Sequence, residues 1–221
     1  MVFACRGRRV LAIIQMLTAI EMLLMPVWAG AAAVRTSDTR AEPPDGRSLA
    51  RRLGRLPAPV VLAAAALLAM AAFEEGAAAA VLRSQAVALG WLVLLAGLAV
   101  LLDRVAGPRP AQILTALAGW ALLAGIILAG PAADLADGSV QAGIVRLAVH
   151  ANPLVVAERE LGLDWLHMGL TYRLTPLGES YGYLVGAAAW WKTFLAHVFV
   201  GSGLLVFGST GGRAKATVPQ F

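Results

Sequence analysis

The sequence predicts an all-α fold: a polytopic transmembrane helical bundle, with residues 1–221 forming a single integral membrane domain. Three observations predict it. Only 14% of the residues are charged against 59% hydrophobic, whereas a soluble domain carries roughly 25% charge to keep its surface wet. Most of that charge falls between long apolar runs rather than inside them, as it does where lipid is the solvent. Ala, Leu, Val and Gly dominate the runs, a composition suited to helices in close contact.

The first run, residues 10–34, follows the basic cluster Arg6, Arg8 and Arg9. Gln15, Thr18 and Glu21 recur at every third position, which gives one helical face a polar stripe. Pro26 is expected to kink or break the helix. The segment has three possible fates: crossing the bilayer, re-entering on one side or lying in the interface, and removal as a signal peptide ahead of the small residues 29–33. Glu21 within the apolar stretch argues against the last.

Residues 35–57 form a polar connection with six Arg and three acids, in which 47–56 reads as a short basic helix at the headgroups. Four spans follow. Residues 58–73 are apolar up to Glu74-Glu75-Gly76; 85–102 run to Asp103-Arg104; 111–131 follow Gly107-Pro108-Arg109-Pro110; and 189–209 close the chain's apolar content. Before the last span, residues 132–188 differ in character. They hold six acids, three Arg and two His together with Trp165, Tyr172, Tyr181 and Tyr183. Two short amphipathic helices, interrupted near Asn152-Pro153, fit this outer connection, lying at or dipping into the headgroup layer.

Orientation follows from Lys and Arg in the short connections. Residues 35–57 carry six, 103–110 carry two, the tail from 210 carries two, and 74–84 carry one. The positive-inside rule therefore places the three richer groups in the cytoplasm. A full crossing by residues 10–34 with Arg6, Arg8 and Arg9 inside would invert every later loop. The reading preferred here is that this segment does not simply cross; the alternative is that the charge rule fails at the N-terminus.

Glu21 is the candidate functional residue within the first segment, since an ionisable group at mid-membrane costs roughly 2.5–3.5 kcal/mol on insertion scales and must face protein or water. It reads either as a proton or cation site, or a polar contact to a partner, or, on an interfacial segment, as a group facing water. Ala121, Gly125 and Ala129 recur at four-residue spacing and form a candidate helix-packing strip, with Gly201 and Gly203 as possible counterparts. Trp190, Trp191 and Lys192 read as interfacial anchors. Trp165, His167, Tyr172 and Arg173 form the candidate outer-surface cluster, an external gate or docking surface on one reading and a cap sealing the bundle on the other.

No cofactor or metal pattern is recognisable. His150, His167 and His197 lack metal-ligand spacing, and only His197 lies within a span, where a haem bundle needs facing histidines at one depth. Glu74 and Glu75 point about 100° apart on a helix and read as a solvated turn. The stretch 208–213 lacks the Walker lysine. Cys5, the single cysteine, excludes an internal disulfide. The net charge of +5 sits beside apolar spans, not on a soluble basic face, which excludes nucleic acid as a partner.

The basic N-terminus, the short turns and the long outer segment before the last span resemble the permease subunits of ABC-2 type exporters. The string from Asn152-Pro153-Leu154 to Tyr172-Arg173-Leu174-Thr175 is similar to the outer segment of small permease-like proteins of that group. The chain departs from the family's six spans. The resemblance implies export driven by a partner ATPase, no catalysis in this chain, 47–56 as the place for a coupling helix, and a bacterial cytoplasmic membrane. Two other classes stay open: an accessory or scaffold subunit of another membrane complex, and a membrane redox protein using the histidines.

Overall fold

A computed structural model describes residues 2–34, 54, 56–72, 76–163 and 189–210. Among them are seven helices: α1 Val2–Ala33, α2 Ala58–Ala71, α3 Ala77–Ala106, α4 Pro108–Asp134, α5 Gly138–His150, α6 Pro153–Glu160 and α7 Trp190–Thr210. The described residues contain no strand.

Four helices are long and apolar enough to cross a bilayer: α1 over Val10–Ala33, α3, α4 and α7. Each presents large apolar side chains outward, among them Met16, Leu24, Ile113, Leu128 and Phe199. In water such faces would be untenable; against lipid tails they cost nothing. The chain is an integral membrane protein.

Helix α3 is the axis of the bundle, more than half of its apolar window buried. Its thirty residues give about 45 Å of length. Trp91, Leu92, Leu95 and Ala96 form the core with Met22 and Met25 of α1 and Leu123 of α4. Gly107, at φ 86°, provides the left-handed turn from α3 into α4, and Pro108 starts α4 where a missing N–H is harmless.

Neighbour contacts fix the directions. Phe194 of α7 packs at Gly90 of α3, Gly201 at Val93 and Leu94, and Gly208 at Val100 and Leu101, so α7 runs parallel to α3. On α1, Glu21 meets Gln85, and Pro26 meets Gly119 of α4 beside Leu95. Helix α1 is thus parallel to α3 and antiparallel to α4, as Gly30 against Gln112 confirms. The ends of α1 and α7, the start of α2 near Trp28 and Gly107 all lie at one end of the bundle. The starts of α1 and α3 and the end of α4 lie at the other, the Ala77 end.

Three sequence expectations change. The first segment is one helix through Pro26, not a broken element; its ring lies against Gly119, where there is no side chain to displace it. Residues 58–73 give only the fourteen-residue α2, about 21 Å against a hydrocarbon core of about 30 Å. It runs antiparallel to α1, from Leu56 and Val60 beside Ala33 and Val34 to Leu67 and Ala71 beside Ile14 and Val81. The span expected at 85–102 begins at Ala77, because the Ala-rich turn after Gly76 simply continues into it.

Candidate functional site

After α4 the chain does not leave the bundle. Helix α5 folds back along α4, with Gln141 Nε2 donating to the Ala133 carbonyl (3.1 Å) and Val145 and Val149 packed on Ile126, Ala129 and Ala133. The helix stops at Asn152-Pro153, and α6 departs at 65° to it. The tip of this pair lies at Leu123, eleven residues inside the end of α4, which is about 16 Å or half the hydrocarbon core. Helix α6 then returns to the Ala77 end, where Arg83 pairs with Glu160 (3.3 Å) and Gln15 Nε2 donates to the Leu161 carbonyl (2.9 Å). The pair therefore enters and leaves at one end; it is re-entrant rather than spanning.

Asn152 holds the tip. Its Oδ1 accepts from the Leu154 and Val155 N–H groups (3.1 and 3.3 Å), satisfying two of the donors that a helix start leaves free. Pro153 follows at the first helical position, where it is pre-organised. Asn152 Nδ2 donates to the Leu123 carbonyl (2.7 Å), so one side chain caps α6 and ties it to α4. It is 2% exposed. Helix α7 closes the other side: Thr193 Oγ1 donates to the His150 carbonyl (2.7 Å), and His197 Nε2 lies 3.1 Å from the Ala151 carbonyl, with its ring 5.7 Å from that of Trp91.

The polar stripe of α1 faces into this assembly. Gln15 binds α6, Thr18 is wholly buried, and Glu21 Oε2 accepts from Gln85 Nε2 of α3 (2.9 Å). Glu158, on α6 one turn before Leu161, is 0% exposed. Neither of its carboxyl oxygens has a hydrogen-bond partner, and the same holds for Thr18 Oγ1, Glu21 Oε1 and Gln85 Oε1.

Of the residues singled out from the sequence, Glu21 lies in this polar region, turned toward protein rather than lying at a headgroup layer. The strip Ala121, Gly125 and Ala129 does not pack as a unit within the chain: Ala121 is exposed, a Cβ at Gly125 would meet nothing, and only Ala129 is buried. Four-residue steps drift about 40° each on a 3.6-residue helix, and the face that packs runs instead through Thr115, Gly119, Leu123, Ile126 and Ala133. Gly201 makes a close helix contact, whereas a Cβ at Gly203 would meet nothing. Trp190 packs against the core, while Trp191 is half exposed with Lys192 Nζ 5.6 Å from its ring centre. Trp165, His167, Tyr172 and Arg173, together with Glu74, Glu75 and most of 47–56, lie outside the described residues.

Glu158 and Gln85 escaped the sequence reading. Glu158 sits within Glu158-Arg159-Glu160, which reads as a solvated charge run. The available signal was periodicity: Leu154, Glu158 and Leu161 share a face of the helix that Pro153 opens. Comparison of the chain with protein-family models, with curated proteins and with solved structures finds no match.

Proposed function

We propose that the chain is the membrane subunit of a transport system in a bacterial cytoplasmic membrane, similar in layout to an ABC-2 type permease and energised by a separate ATPase chain. The observation that supports this reading best is the re-entrant pair α5–α6, whose break at Asn152 lies about halfway into the bundle. Interrupted helices at mid-membrane recur where a solute or ion is handled, since they bring a helix start and unpaired polar groups to a depth that lipid denies them. Ionisable side chains with buried, unpartnered oxygens inside the bundle, here Glu21 and Glu158, add to the case.

Purification of the tagged protein from its native membrane in mild detergent, with mass spectrometry of what accompanies it, tests the reading. A nucleotide-binding ATPase in stoichiometric amount is the expected result. A set of membrane subunits with no ATPase would instead favour an accessory subunit, a second reading supported by the small-residue strip at Ala121 and Gly125 that the chain's own helices leave uncovered. Recovery of the chain alone would count against both.

A further inference from the structure

We propose that α1, α3 and α6 build a proton-binding site, with Glu158 as the proton-carrying group and Glu21, Gln85 and Thr18 as its polar surroundings. The inference goes beyond the transport reading and does not depend on an ATPase partner.

Register brings the groups together. Gln15 binds the Leu161 carbonyl and Arg83 binds Glu160, which seats the last turn of α6 on the fourth turn of α1 and the second of α3. From that seat α6 runs inward, so Glu158 lies one turn deeper than Leu161. Thr18 and Glu21 lie one and two turns deeper than Gln15 on the same face of α1. Gln85 is joined to Glu21 directly.

Acceptors outnumber donors in the set. Five buried oxygens, on Glu158, Glu21, Gln85 and Thr18, lack partners; Gln85 Nε2 donates to Glu21, and the Thr18 hydroxyl reaches no acceptor. A buried carboxylate that receives no hydrogen bond, as at Glu158, is costly, and taking a proton relieves that cost by neutralising it.

Among the described residues, neither carboxyl is hydrogen-bonded to a cation, and Arg159 of α6 has an interaction of its own. On α3, Arg83 is engaged with Glu160. On α7, Lys192 lies over Trp191 and the His197 ring nitrogen is at the Ala151 carbonyl. Helix α5 carries Arg146 and His150, whose carbonyl is bound by Thr193. Among the described residues, no third His, Cys, Asp or Glu joins the two carboxyls in a group able to hold a metal ion.

Infrared titration of the protein in lipid tests this. The carbonyl band of a protonated carboxylic acid is expected at neutral pH and fades as the pH is raised, the acid fraction falling about tenfold per pH unit beyond its titration point. In a Glu21→Gln background, which removes the other buried carboxyl of the group, the band should remain, and adding Glu158→Gln should abolish it while the helical amide band persists. Should Glu158→Gln fail to fold, modification of the wild-type protein by a hydrophobic carbodiimide, which attacks protonated carboxyls, assigns the band through the mass of the Glu158 peptide. Absence of an acid band at neutral pH, its loss in folded Glu21→Gln, or its survival in the folded double variant would overturn the assignment. Loss of the band on adding sodium at constant pH would do the same, by showing a metal cation where the proton is placed.

Discussion

At the scale of single residues, Asn152 concentrates more structural work than any charged group. It caps α6 twice and binds α4 once, all with a side chain 2% exposed. Replacing an N-cap Asn by Ala costs typically about 1 kcal/mol, and a membrane-buried interhelical hydrogen bond averages about 0.6 kcal/mol. Asn152→Ala should therefore lower stability by roughly 1–2 kcal/mol. Asn152→Asp, which keeps the accepting oxygen but loses the donor to Leu123, should fall between. Apparent unfolding temperatures in mild detergent give the order; an Ala variant as stable as the Asp variant would show that the cap carries no weight. The Asn-Pro dipeptide was legible as a helix stop, because both residues have strong local preferences. The bond to Leu123 was not, since nothing in the sequence states which carbonyl a buried amide will find.

At the scale of elements, packing rests on close backbone approach, because helices in lipid gain nothing hydrophobic from leaving it. Helices α3 and α7 meet through Gly90, Gly97, Gly201 and Gly208, and a Cβ at Gly201 would come within 2.6 Å of the Val93 and Leu94 backbone. Gly201→Leu should force these helices apart and cost about 1–3 kcal/mol, the usual scale of overpacking. Gly203→Leu, two residues away, should be silent for the fold, since a Cβ there meets open space. The contrast in detergent thermal stability is the measurement, and equal effects would mean that the α3–α7 contact does not set stability. Here too the reading from sequence was partial. Small residues are frequent throughout the chain, so spacing alone selects Ala121, Gly125 and Ala129 as readily as the strip that packs. Burial, not spacing, separates them.

For the whole molecule, the helix directions bear on the orientation problem that the sequence leaves open. The end of α1, the start of α2, the Gly107 turn and the end of α7 all fall at one end, and these are the points that adjoin, in the sequence, the three groups richest in Lys and Arg. What the sequence misjudges is α1. Pro26 suggests a break because proline removes a backbone bond in water. In lipid a helix holds through a proline where its neighbours accommodate it: here Gly119 leaves room for the ring, and Trp120 Nε1 donates to the Leu23 carbonyl nearby. Helix α1 thus starts at the Ala77 end, and the short α2 carries the chain back before α3 begins. If the end rich in Lys and Arg is cytoplasmic, Arg6, Arg8 and Arg9 lie on the opposite side, against the charge rule. Cysteines introduced at Gly107 and Gly138 in a Cys5→Ser background test this with a membrane-impermeant maleimide. Gly138→Cys should react in intact cells and Gly107→Cys only after permeabilisation, with a protease-cleavable N-terminal tag cut from the Gly138 side. A tag cut from the Gly107 side instead would mean that α1 does not cross in the direction its contacts with Gln85, Gly119 and Gln112 require.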